Sequence, residues 1–275
     1  MSKETTCFDV FEKCVTAIQA AELIESESDN DKEFHFQNWV EQRLKTLSFN
    51  FDPPKRHSYP DFRIVQFTEG YEVKGLKTPG RDKNFDSNSQ APSGFHNGRD
   101  VFYVFGRYPK KITSYPKSER GYRQYPVIDL VICHGDFLSL DRDYVHENKH
   151  IKGFGSYGDI MIRDRKMYVA PTPFALTEGT TGLLTLILPD SYVPDERFQT
   201  VGHLARKEAE ELVVSYSFDL QTNEILTSRV KNPKAGTEHK FVAYRLKTQN
   251  NKPVKMISQN QIFAEMELAQ REAEK

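Results

Sequence analysis

The sequence predicts a mixed α/β fold in which a mixed central sheet is flanked by helices and the C-terminal half is rich in strands. Two N-terminal segments repeat apolar residues at helical spacing. Runs rich in Val, Ile, Phe and Tyr follow, separated by Gly, Pro, Asn and Asp turn signals. Beyond residue 200 such runs return, with one more helical pattern at the end. At 275 residues the chain can bury a sizeable core within one decorated domain.

Phe8, Phe11, Val15, Ile18 and Leu23 place an amphipathic helix over 7–25, and the acidic run from Glu25 to Asp31 ends it. A second helix spans Phe34 to Leu47, with Phe36, Trp39, Val40 and Leu44 as its apolar stripe. Phe62 to Phe67 and Tyr71 to Leu76 read as strands joined by a Thr68-Glu69-Gly70 turn. Asp86 to Pro92 is a loop leading to the strand Val101 to Phe105, and Val127 to Cys133 is a buried strand. Ile160 to Val169 forms a hairpin or two strands, Leu212–Phe218 and Glu224–Thr227 form a hairpin, and Phe241 to Arg245 is a further strand. Gln259 to Lys275 is a charged helix whose Ile262, Phe263 and Met266 offer a short apolar edge to a partner subunit.

The chemistry concentrates at Asp61, Glu72 and Lys74. Two carboxylates and the Val73 backbone carbonyl can supply the oxygen ligands of a divalent metal. Along a strand Glu72 and Lys74 share one face while Val73 points to the other. The Lys74 ammonium can then orient a water or stabilise a pentavalent phosphorus. The spacing sets a condition. In a regular hairpin turning at Glu69, Asp61 sits opposite Lys77 and Glu72 opposite Gln66, too far apart to share a metal. A bulge, a shifted turn or splayed strands must bring them together.

Tyr59-Pro60-Asp61 followed by Gly70-Tyr71-Glu72-Val73-Lys74-Gly75-Leu76 resembles the PD-(D/E)xK nuclease signature, and the chain resembles a Type II restriction endonuclease. The resemblance implies a restriction-endonuclease-like fold for residues 1–275. About 30–140 would form the catalytic core, and about 141–275 would carry DNA-recognition and dimerisation elements. It implies Mg2+ held by Asp61, Glu72 and the Val73 carbonyl, with Glu41 on the second helix as a further acid. It also implies a homodimer on a short palindromic double-stranded DNA site, with a cognate DNA methyltransferase in the same system.

Thirty-eight Lys and Arg against 39 Asp and Glu leave a net charge of -1, so a DNA surface must be local. Arg107 to Arg123 carries six bases against one acid, interleaved with tyrosines, and offers Lys110, Lys111, Lys117, Arg120 and Arg123 to phosphates. Arg163 and Arg165 alternate onto one strand face, where they can pair with guanine, and Asp164 can accept from cytosine. Lys231 and Lys234 lie in a further basic loop.

A DNA repair or recombination nuclease with the same core, and a non-catalytic DNA-binding protein, are alternatives. His146-Glu147-Asn148-Lys149-His150 matches HExxH, in which two histidines bind zinc and the glutamate is general base. Against a zinc metalloprotease, Ser156 stands where an extended motif has its third histidine, and Gly153 and Gly155 cut the helix short. No 18-residue apolar run and no apolar N-terminal signal are present, so a soluble cytoplasmic protein without membrane contact is expected. Cys7, Cys14 and Cys133 form no CxxC pair, which fits a reducing compartment.

Overall fold

A computed structural model describes residues 5–26, 34–52, 59–80, 82–88, 92–110, 115, 117–138, 158, 161–163, 167–222, 224–258, 260–262, 264–266 and 268. In chain order the elements are α1 (Cys7–Gln19), β1 (Ile24–Ser26), α2 (Phe34–Thr46), β2 (Phe51–Asp52), β3 (Phe62–Ile64), β4 (Glu69–Thr78), β5 (Asn84–Asn88), β6 (Phe95–His96), β7 (Arg99–Pro109), β8 (Arg123–Tyr125) and β9 (Asp129–His134). There follow α3 (Gly135–Leu138), β10 (Met161–Arg163), β11 (Met167–Pro171), α4 (Pro173–Leu176), β12 (Thr177–Glu178), β13 (Leu184–Pro189), β14 (Phe198–Lys207), β15 (Glu211–Phe218), β16 (Ile225–Lys231), β17 (Glu238–Leu246) and β18 (Lys255–Met256).

Among the described residues the main sheet has nine strands in the order β14-β17-β13-β9-β7-β4-β3-β2, with β6 also paired to β7. It is mixed: β4 runs parallel to β7 and β9 to β13, and the other pairs are antiparallel. Both faces of its centre are covered. Every residue of β9 is buried, and its apolar centre, Leu130 to Cys133, is the run expected of a strand packed on two sides. One face meets α1 and α2, where Phe11, Phe36, Trp39 and Val40 pack with Val73, Phe102 and Val104. Gly75 and Gly106 are register partners and leave a slot for Phe36; a Cβ at Gly106 would overlap its ring, and one at Gly75 would press on its Cβ. The other face joins Leu76, Tyr103, Phe105 and Val131 with Phe85, Val169 and Phe174. Phe85 and Val169 come from a three-stranded sheet of order β10-β11-β5. Strands from residues 184–246 thus complete the sheet begun by residues 51–134.

Three local expectations change. The first helix stops at Gln19: Ala21 takes a left-handed φ of 55°, and Ile24–Ser26 pairs with β8 instead of extending the helix. Residues 84–88 form a strand because β11 pairs with them, although Asp and Asn are poor strand formers. The C-terminal helix edge is occupied within the chain. Ile262 and Met266 are each 1 % exposed in the second core, and Glu265 pairs with Lys83 at 2.7 Å, so these two residues are not offered to a partner. Among the described residues no helix is long and apolar enough to cross a membrane.

Candidate active site

The hairpin that carries Asp61, Glu72 and Lys74 turns earlier than local propensity indicates. Strand β3 ends at Ile64, residues 65–68 form the turn, and Phe62 pairs with Tyr71 and Arg63 with Gly70. Continuing that register by one position sets Asp61 opposite Glu72, so a shifted turn meets the spacing condition. The Asp61 N–H donates to Glu72 Oε2 at 3.2 Å, and the Val73 N–H donates to Asp61 Oδ2 at 2.8 Å. Lys74 Nζ donates to Glu72 Oε1 at 2.7 Å. In a strand the N–H and C=O of one residue leave on the same edge. The Val73 carbonyl therefore leaves β4 on the edge where the Asp61 carboxylate lies.

Contacts far apart in sequence hold the shifted turn. Arg99 Nη1 donates to the Ile64 and Phe67 carbonyls at 2.7 and 2.8 Å, and the Asp100 N–H donates to the Thr68 carbonyl at 2.8 Å. The Val65 N–H donates to the Asn50 carbonyl at 2.8 Å. Asn97 and Gly98 both take positive φ, as a two-residue hairpin turn of this kind requires, and so deliver Arg99 to β7. Gly70 lets Pro60 close on β4: a Cβ there would overlap Pro60 Cγ and come within 2.9 Å of the Phe62 carbonyl. At the start of β4 buried Glu69 accepts the Thr6 N–H at 3.0 Å and also the Thr6 hydroxyl, tying the strand to the head of α1. Burial raises the Glu69 pKa, and the Thr6 donors oppose that rise.

The site has a wall of aromatic side chains. Tyr103 is the register partner of Glu72, and its hydroxyl lies 2.8 Å from that of Tyr59, which donates to the Ser93 carbonyl at 3.2 Å. Burial pushes both phenols well up, and the nearby Glu72 charge adds to the shift. The His96 ring stands edge-on to Tyr59 with centroids 4.8 Å apart. The sequence motif includes Tyr59 without giving it a role, and Tyr103, His96 and Arg99 carry no local sign of a place in the site. Tyr59 adjoins the Pro-Asp pair and carried a local signal, but the others reach the site only through the β4–β7 register.

Other candidate residues are dispersed. Glu41 is not brought to this group: its carboxylate pairs with Lys45 at 2.8 Å, one turn along α2. The apolar side of that helix covers the Val73 face, opposite to Glu72 and Lys74. Lys110, Lys117, Arg120, Arg123, Lys231 and Lys234 are exposed. Arg107, counted with the basic segment, is buried instead and forks onto Asp129 through Nε at 2.8 Å and Nη2 at 2.5 Å. Lys111, Asp164, Arg165, the Arg163 side chain and the His146–His150 motif lie outside the described residues.

Two adjacent carboxylates and a carbonyl edge form a hard-oxygen donor set. Mg2+ suits such a set, because it commonly takes one or two carboxylates and keeps several waters. Among the described residues no group of three or more His, Cys, Asp or Glu is arranged to hold a metal ion, so any cation here must draw further ligands from backbone oxygen, water or substrate. No known protein-family model matches the chain, and no curated protein matches it.

Proposed function

We propose that the protein is a Type II restriction endonuclease of the PD-(D/E)xK kind, with the restriction-endonuclease-like fold, hydrolysing phosphodiester bonds at a short specific site in double-stranded DNA. The observation that carries this reading is the interlock of Asp61 and Glu72 through backbone N–H donors, with Lys74 on the same carboxylate. Such crowding of acids suits a hard divalent cation and a phosphate substrate.

Asp61, Glu72 and the Val73 carbonyl would hold Mg2+. When bound, that ion supplies a water of lowered pKa and neutralises charge on the phosphate. Lys74 extends from the same strand face as Glu72, where its ammonium orients the attacking water and stabilises the pentavalent phosphorus. Val73 anchors the strand in the α1–α2 core, which keeps Glu72 and Lys74 turned outward. The exposed bases Lys110, Lys117, Arg120, Arg123, Lys231 and Lys234, together with Lys111, would neutralise DNA phosphates, and Arg163, Asp164 and Arg165 would read base edges. A symmetric homodimer would match a palindromic site, each subunit cutting one strand, and a cognate methyltransferase would protect the host DNA in the same cytoplasm.

The test is incubation of purified protein with unmethylated phage-sized DNA, with and without Mg2+, followed by sequencing of the ends. The proposal expects discrete Mg2+-dependent fragments whose ends share one short symmetric sequence. Cleavage confined to mismatches or junctions would move the site to DNA repair or recombination, and an intact substrate would remove the nuclease reading.

A further inference from the structure

We infer that Tyr59 and Tyr103 are a positioning pair whose hydroxyl contact holds Asp61 against Glu72 and so sets the affinity of the site for a divalent cation. The inference deepens the nuclease reading and rests on it.

Two carboxylates placed side by side repel each other. The backbone N–H donors of Asp61 and Val73 offset part of that repulsion, but they work only while residue 61 stays at the β4 edge. Asp61 lies just outside the paired part of β3, which begins at Phe62, so the β3–β4 ladder does not clamp it. The tether comes from the other neighbour of β4. Tyr103 on β7 stands beside Glu72 in the parallel register, on the same sheet face, and meets the Tyr59 hydroxyl at 2.8 Å.

A hydroxyl has one proton to give. Tyr59 gives its own to the Ser93 carbonyl at 3.2 Å, so Tyr103 is the donor to Tyr59. This chain of contacts runs from β7 to Tyr59, two residues before Asp61. Between them buried Pro60 rests in the space that Gly70 leaves. The segment is thus held at Tyr59 by the hydroxyls, at Pro60 by packing and at Asp61 by the β4 backbone. Groups that orient metal ligands in this way commonly change affinity by about 10-fold to 100-fold when removed.

The experiment uses the full chain and Mn2+ alone as the probe, with binding followed by titration calorimetry in wild type, Tyr103→Phe, Tyr59→Phe, the double variant and Asp61→Asn. Each single Tyr→Phe variant should weaken Mn2+ binding about 10-fold. The double variant should be no weaker than the worse single one, because both remove the same contact. In cleavage assays the Mg2+ concentration for half-maximal rate should rise by the same factor, while the rate at saturating Mg2+ stays close to wild type. A purely structural role would lower the melting temperature and leave Mn2+ affinity unchanged. If Asp61→Asn abolishes Mn2+ binding while both tyrosine variants bind normally, the positioning role is overturned and the nuclease reading stands. A wild-type protein that binds no Mn2+ overturns both. Should Tyr103→Phe fail to fold, Tyr59→Phe carries the same test, since residue 59 as a whole is less buried than Tyr103.

Discussion

Two clusters on the same face of the β4–β7 strand pair are each built from two acids and one base, yet their geometry differs. At one, Arg107 spreads its guanidinium over both partners: Nε and Nη2 fork onto Asp129, and Nη1 reaches Asp82 at 3.0 Å. The Gly182 N–H adds a donor to Asp129 at 2.6 Å, the Phe174 ring lies 4.6 Å from the guanidinium, and Asp129 is fully buried. At the other, four register positions along β7, Lys74 contacts Glu72 while the carboxylates interlock through backbone N–H groups. The Lys74 and Glu72 side chains keep 24 % and 11 % of their surface exposed. A planar fork seals a pair of acids, whereas a point charge on a flexible stem can swing aside when a ligand approaches. The two clusters thus differ in burial and in how their charges are matched.

The contrast can be broken at several points. Asp61→Ala, Glu72→Ala or Lys74→Ala should reduce single-turnover DNA cleavage by about 10^3-fold with an unchanged circular dichroism spectrum. Lys74→Arg should not restore it, because a fork cannot replace the point charge. Preserved cleavage in any of the alanine variants would remove that residue from the site. At the sealed cluster Arg107→Met leaves the Asp129 charge buried with the Gly182 N–H but without its ion-pair partner, and should cost about 3–5 kcal/mol in urea denaturation. A double variant with Asp129→Leu should recover much of that loss. A loss below about 1 kcal/mol for the single variant would show that the fork is not needed to seal the cluster.

Gly70→Ala should cost about 1–3 kcal/mol by pressing a methyl group on Pro60, and should also slow cleavage as Asp61 is displaced from Glu72. Stability loss with normal cleavage would show that Pro60 can shift without moving the carboxylate.

A further effect is an alkaline one. Burial pushes the Cys14 thiol up to about 12. Above the unfolded thiol value near 8.5 the unfolded chain has released a proton that the folded chain keeps. The contribution is therefore complete below about pH 8.5 and is lost as pH rises towards 12, by at most about 1.4 kcal/mol per pH unit. Urea midpoints from pH 8 to 10 should fall more steeply in wild type than in Cys14→Ala, and equal slopes would refute this.

Much of the site was legible in the residues themselves, because strand parity is local. Glu72 and Lys74 share a face whatever the strand pairs with, and Val73 takes the core. The helix stripe of Phe36, Trp39, Val40 and Leu44 was equally plain, and all four are buried. Arg107 was not legible: it sits in a basic stretch, and its buried partner Asp129 is distant in sequence. Glu41 reads as an acid on the right helix, but the sheet face on which that helix packs depends on Phe36 meeting Gly75 and Gly106.

The amino-acid order alone specifies the apolar faces of the helices and strands, the mixed α/β class, and the types of group available to a metal and a phosphate. The register that joins Asp61 to Glu72 is decided elsewhere. Side-chain direction follows from the local backbone, but the turn at 65–68 is held by Arg99, Asn50 and the space above Gly70. Moving a hairpin turn changes which residues face each other across the strands, so contacts distant in the chain determine whether two carboxylates meet.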